Sequence, residues 1–132
     1  MNELTKEWLA RANDDLETIK EIIDNPELTN IAAFHAQQAI EKSLKAVIEE
    51  FKTGFIKIHN LEKLFALTNN YLQIEINLDL VKKLDALYID SRYPSELGIL
   101  PYGKPTVEDA AEFSEFAKRV VSEISSFLMK QL

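Results

Sequence analysis

Apolar residues in this chain recur mostly at three- and four-residue steps, which predicts helices rather than strands. In residues 5–24, Trp8, Leu9, Ala12, Leu16, Ile19 and Ile23 share one face. The segment ends at Asp24-Asn25-Pro26, because a proline disfavours helical geometry in the residue before it. A second helix, the longest, is predicted from about Asn30 to Lys52, with Gly54 just beyond its end. After Ile58-His59-Asn60, the residues Leu61, Leu64, Phe65 and Leu67 predict a third, two or three turns long. Leu80, Val81, Leu84, Leu87 and Tyr88 predict a fourth from about Leu78 to Asp90. Thr106 stands three residues before Asp109, a capping-box arrangement, and opens a last helix with Ala110, Phe113, Ala117, Val120, Ile124 and Phe127 along a bundle seam. LQIEINL at 72–78 alternates briefly, and a short strand there is the minority reading. The expected fold is all-α: an up-and-down helical bundle of four main helices plus a short fifth, in a single domain over residues 1–132.

At 100° per residue, Ala33, Ala36, Ile40, Leu44, Val47, Ile48 and Phe51 fall in one arc of the second helix, which should face the core. His35, Gln38, Lys42, Lys45 and Glu49 gather opposite, and spacing favours a solvated face for them over a ligand site. Glu41 and Lys45, in i,i+4 order, strengthen that structural reading. Gln37 differs, because its angle places an amide inside the apolar arc, where it needs hydrogen-bond partners on another helix or at a subunit interface. Ala32, Ala39 and Ala46 form a small-residue strip that would admit another helix closely, a hint of dimerisation. His59 precedes NLEKL, and capping or orienting the third helix is favoured for it over catalysis.

Composition narrows the chemistry. With no cysteine among 132 residues, disulfides, thiolate metal sites and cysteine nucleophiles are excluded. Two histidines 24 residues apart form no local metal motif, so no metal and no cofactor is expected. The net charge of −7 opposes general nucleic-acid binding, which draws on clustered lysine and arginine. Only 3 glycines are present, in neither GxGxxG nor GxxxxGK, so a bound nucleotide would be held by side chains. No apolar run approaches the roughly 20 residues needed to span a bilayer, and MNELTKEWLARANDD is charged rather than signal-like. A soluble protein with a cytoplasmic location and no membrane partner is the expectation.

The stretch LYIDSRYPSE at 87–96 sits where the fourth helix gives way to the proline-bearing segment. If the helix continues one turn further, Leu84, Tyr88 and Arg92 share a face, and Pro94 stops the helix near Tyr93. Arg92 then either satisfies C-terminal carbonyls or presents its fork of donors to a phosphate or carboxylate, aided by tyrosine hydroxyls. Position alone leaves both readings open. Residues 94–105 hold three of the four prolines and two of the three glycines, which predicts a semi-rigid loop in which Tyr102 could close over whatever Arg92 faces.

FHAQQAIEKSLKAVI, HNLEKL and LYIDSRYP, in that order in an all-helical chain of this size, resemble the HEPN domain family (higher eukaryotes and prokaryotes nucleotide-binding) over roughly residues 5–128. The resemblance implies a five-helix fold, commonly a homodimer. It also implies frequent association with a minimal nucleotidyltransferase and, for some members, a place in toxin–antitoxin modules. Other members are metal-independent ribonucleases whose motif is an arginine, four to six residues, then a histidine. Here the positions that would follow Arg92 hold Leu97, Gly98 and Ile99. Arginine stays protonated and is a poor base, so His35 or His59 could substitute only if the fold brought one beside Arg92.

The expectation is therefore a non-catalytic HEPN module that dimerises and binds a nucleotide or substrate for a nucleotidyltransferase partner. Arg92 and Tyr93 are the main ligand contacts, Lys42 and Lys45 candidate phosphate contacts, Gln38 and His35 lesser members, and Tyr88 an orienter of Arg92. The alternatives are a ribonuclease toxin with a rearranged site and a protein-interaction scaffold.

Overall fold

A computed structural model describes residues 1–52, 57–92 and 104–131, with residues 89–92 given by their place in the helix and not by their side chains. Asn2 starts the first helix, α1 (Glu3–Ile22), by accepting the Thr5 N–H at 2.8 Å. A single 3₁₀ turn at Pro26–Leu28 separates it from α2 (Thr29–Phe51). Asn60 caps the short α3 (Leu61–Thr68) through the Lys63 N–H. Next comes α4 (Leu78–Arg92), and Thr106 and Asp109 close the expected capping box on α5 (Val107–Met129). Helix α4 runs past Asp90 to Arg92, so the extra turn that aligns Leu84, Tyr88 and Arg92 is present.

No strand forms among the described residues. Residues 72–77 are extended instead: Leu72, Ile74 and Ile76 pack against the core while Gln73, Glu75 and Asn77 are exposed. The alternation in LQIEINL thus records a one-sided extended segment that finds no neighbouring strand with which to share its backbone hydrogen bonds.

Cross-helix contacts give the directions. Asn2 N–H meets Glu50 at 2.9 Å while Lys42 reaches back to Asp15 at 2.7 Å, so α1 and α2 are antiparallel. Lys104 donates to the Glu27 carbonyl at one end and Phe51 meets Phe127 at the other, so α2 and α5 run the same way. Lys83 pairs with Asp109 while Arg119 donates to the Glu75 carbonyl, which sets α4 antiparallel to α5. The four main helices therefore alternate up and down, with α3 inserted between α2 and α4.

Helix α2 touches all four others and is buried nearly all round. Its Ile40, Leu44 and Val47 meet a core that includes Ile19, Leu64, Leu84, Phe113 and Ile124, all essentially inaccessible to water. That central position overturns the expectation of a solvated polar face: Glu41 and Lys45 are buried, and His35, Gln38 and Lys42 are only partly exposed. It also corrects the reading of the alanine strip, since Ala32, Ala39 and Ala46 are consumed by packing within the chain. A helix enclosed on every side needs small residues wherever a neighbour comes close, whether or not a second chain exists.

Candidate functional site

Two buried carboxylates organise the polar side of α2. Asp15 of α1 accepts from His35 Nδ1 at 2.8 Å with one oxygen and from Lys42 Nζ at 2.7 Å with the other. Glu41 of α2 meets Lys45 Nζ at 2.9 Å and His59 Nδ1 at 3.1 Å through one oxygen, and Gln37 Nε2 at 3.2 Å through the other. Lys45 also lies over the Trp8 ring at 5.5 Å. A charge removed from water needs such partners, because desolvation of an unpaired ion costs several kcal/mol.

Gln37 is fully buried, as its helical angle requires, and its amide is satisfied: Nε2 also donates to the His59 carbonyl at 3.1 Å, while Oε1 accepts from Gln38 Nε2 at 2.7 Å. His59 thus orients the approach to α3 through its carbonyl and its ring, whereas the cap itself is Asn60. The first turn of α3 gains a second acceptor in Asp85 of α4, which takes the Leu61 N–H at 2.8 Å and the Glu62 N–H at 3.3 Å. Burial holds the Asp85 carboxyl above its ordinary value, against the pull of those two N–H donors.

Near the C-terminal end of α4, Tyr88 is buried with its ring stacked on Phe34 of α2 at 5.8 Å, and Phe34 meets His35 edge-on at 5.3 Å. Arg92 is the last residue of α4. Its side chain lies outside the described residues, as do Tyr93 and the proline-bearing loop that carries Tyr102. Of the expected site, the fold thus collects His35, Gln38, Lys42 and Tyr88 around one flank of α2, and puts Lys45 inside, in a pair with Glu41. No group of three or more candidate metal ligands occurs among the described residues. A crevice lined by Ile48, Lys52, Leu67, Asn70 and Tyr71 holds about 20 Å³, room for little more than a water.

Asp15, Asp85 and Phe34 were not singled out from the sequence, yet two of them were findable. Asp15 is three residues after Ala12 and four before Ile19, and Asp85 is four after Val81 and three before Tyr88, so each carboxylate sits on its helix's inward face. An acid in that register needs donors from a neighbouring element. Phe34 carried no such signal, since an aromatic next to the apolar arc reads as ordinary core.

Comparison with known proteins agrees with this architecture. The crystal structure of ST0689, an archaeal HEPN homologue, superposes with a TM-score of 0.65 at 24% identity, covering 96% of this chain and 98% of that one. A Methanocaldococcus jannaschii protein named "Putative toxin MJ1304" is 30% identical, over 96% of this chain and 89% of its own length. The family model for the HEPN domain matches residues 5–127, nearly the span over which the sequence motifs suggested it, and the chain belongs to the HEPN domain family.

Proposed function

We propose that this chain is a toxin-like HEPN module that acts by binding rather than by cleavage, taking a nucleotide or nucleotide-bearing substrate beside α2 and the end of α4 and pairing with a minimal nucleotidyltransferase. The observation that carries the reading is the use made of the histidines. Each is tied through Nδ1 to a buried carboxylate that also holds a lysine, Asp15 with Lys42 and Glu41 with Lys45, so both serve junctions between elements of the bundle. Meanwhile the positions where ribonuclease members carry their histidine hold Leu97, Gly98 and Ile99. Recognition then falls to Arg92 and Tyr93 with the partly exposed flank of α2, in a homodimer as the family resemblance implies. The name of the Methanocaldococcus relative supports the toxin-like setting.

The test is native mass spectrometry of the tagged chain purified from its own cells, beside Arg92→Ala. Recovery of a dimer with a nucleotidyltransferase or a nucleotide, lost in the variant, is the expected result. Identical complexes in both samples would return Arg92 to a structural role.

One observation favours a second reading. A histidine whose Nδ1 is held by a carboxylate is also the arrangement that orients a general base, and His35 lies one aromatic ring away from Tyr88, a turn before Arg92. Cleavage of RNA in the presence of a metal chelator, abolished by both His35→Ala and Arg92→Ala, would establish a ribonuclease with a rearranged site. Absence of cleavage in that assay leaves the binding module.

A further inference from the structure

Between Ile31 and Ile48, the residues of α2 that are not buried are Ile31, Phe34, His35, Gln38 and Lys42. They fall at helical steps of three, one, three and four, so they make one narrow strip left open by the surrounding helices. Its polar members do not have free choice of orientation, because the hydrogen bonds beneath them fix which atoms remain.

Glu41 is a carboxylate paired with Lys45, and the His59 carbonyl can only accept, so Gln37 must turn its NH₂ toward both. Its oxygen is therefore the atom that meets Gln38, and Gln38 must donate its own NH₂ there, at 2.7 Å. What Gln38 has left is its carbonyl oxygen, an acceptor. The same logic runs one turn earlier. Asp15, a carboxylate paired with Lys42, requires His35 Nδ1 to donate at 2.8 Å, so that whenever the ring is neutral its Nε2 is an acceptor. Among the described residues neither remaining acceptor receives a hydrogen bond. The strip thus offers two acceptors at i and i+3, an aromatic ring at Phe34 beside them, and a lysine one turn beyond that spends one of its three donors on Asp15.

We propose that this strip reads the exocyclic amino group of a nucleobase, His35 Nε2 and Gln38 Oε1 accepting its two N–H bonds while the Phe34 ring lies against the base. The proposal rests on the nucleotide-binding reading above and deepens it by naming the part of the ligand that is selected. Adenine and cytosine fit, because each bears a primary amine on its pairing edge. Hypoxanthine and uracil do not, because a carbonyl oxygen takes that place and would face two acceptors. A site built to pair with a donor rejects the analogue that lacks it far more strongly than an apolar pocket rejects a size change. Lys42, with donors to spare, is placed for the phosphate.

The matched pairs AMP with IMP and CMP with UMP differ chiefly in this group, so calorimetric titration of the full chain with all four needs no variant. Binding of AMP and CMP at least about tenfold tighter than IMP and UMP, the scale of one hydrogen bond, is expected. Gln38→Leu should bring the members of each pair close together, by weakening AMP and CMP and by freeing the carbonyl oxygen of IMP and UMP from one of the two acceptors it faces. Equal binding of the wild-type chain to both members of each pair overturns the amino-group reading while nucleotide binding itself stands. A preference that survives Gln38→Leu also overturns it, by placing selection elsewhere. If none of the four binds, the nucleotide reading fails and this one with it.

Discussion

At the scale of single residues, ionic groups were placed where water is absent, and the cost of that placement makes them informative. Glu41 and Lys45 each retain 6% side-chain exposure, far from the solvated i,i+4 pair that their spacing resembles. A surface pair of that kind contributes at most about 1 kcal/mol, whereas removing one member of a buried pair strands the other and costs roughly 3–5 kcal/mol. Urea unfolding of Glu41→Leu should show a loss in the upper range, and Lys45→Met added to it should restore much of that loss. A single-variant loss below about 1 kcal/mol would mark the pair as surface-like. Asp85 makes a different prediction, because burial raises its carboxyl above the ordinary 3.8. A raised acid contributes stability that is fully present below its unfolded value and is lost as pH rises through the folded one. Relative to Asp85→Asn, which keeps an acceptor for the Leu61 N–H, the wild-type chain should therefore lose stability as pH climbs upward from about 3.8. Thermal melts of both proteins across that window check it, and parallel curves would remove the burial effect.

At the scale of elements, the small residues of α2 separate two uses of a close-packed seam. Ala39 is fully buried within one chain, so Ala39→Leu should force apart helices already in contact and destabilise the monomer fold by about 1–3 kcal/mol. A strip serving only a second chain would instead leave the melting temperature intact and change the mass in light scattering. The same elements show what a sequence discloses. Helix starts set by local chemistry were legible, as with Thr106 and Asp109 on α5, and the amphipathic periods put the helices within about two residues of where they form. The solvent side of α2 was not legible, because a wheel reports only which residues share a direction. Whether that direction meets water depends on α1 and on the segment that leads into α3: Asp15 meets His35 from 20 positions away, and His59 meets Glu41 from 18. Gln37 was readable because an amide amid Ile40 and Leu44 is an exception that demands an explanation, whereas a lysine among polar neighbours is not.

At the scale of the whole molecule, charge separates recognition of one small ligand from coverage of a polymer. With 22 acids against 15 bases, the chain carries a net −7. Two of its cations beside the candidate strip, Lys42 and Lys45, are already matched to Asp15 and Glu41. Non-specific binding to RNA arises from lysine and arginine displacing counterions from many phosphates at once, and an excess of seven acidic charges opposes it. A single nucleotide asks for much less: one cation, a ring and correctly turned hydrogen-bond partners. Fluorescence anisotropy with a mixed-sequence 20-nucleotide RNA at physiological salt should therefore give no saturation at protein concentrations below about 10⁻⁴ M, the weak end of ordinary non-specific affinity. Lowering the salt should change this little, since few counterions would be released. Tight binding with a steep salt dependence would mean that Arg92 and its neighbours assemble a basic surface strong enough to outweigh the acidic background, and would move the polymer, rather than the mononucleotide, to the centre of this protein's chemistry.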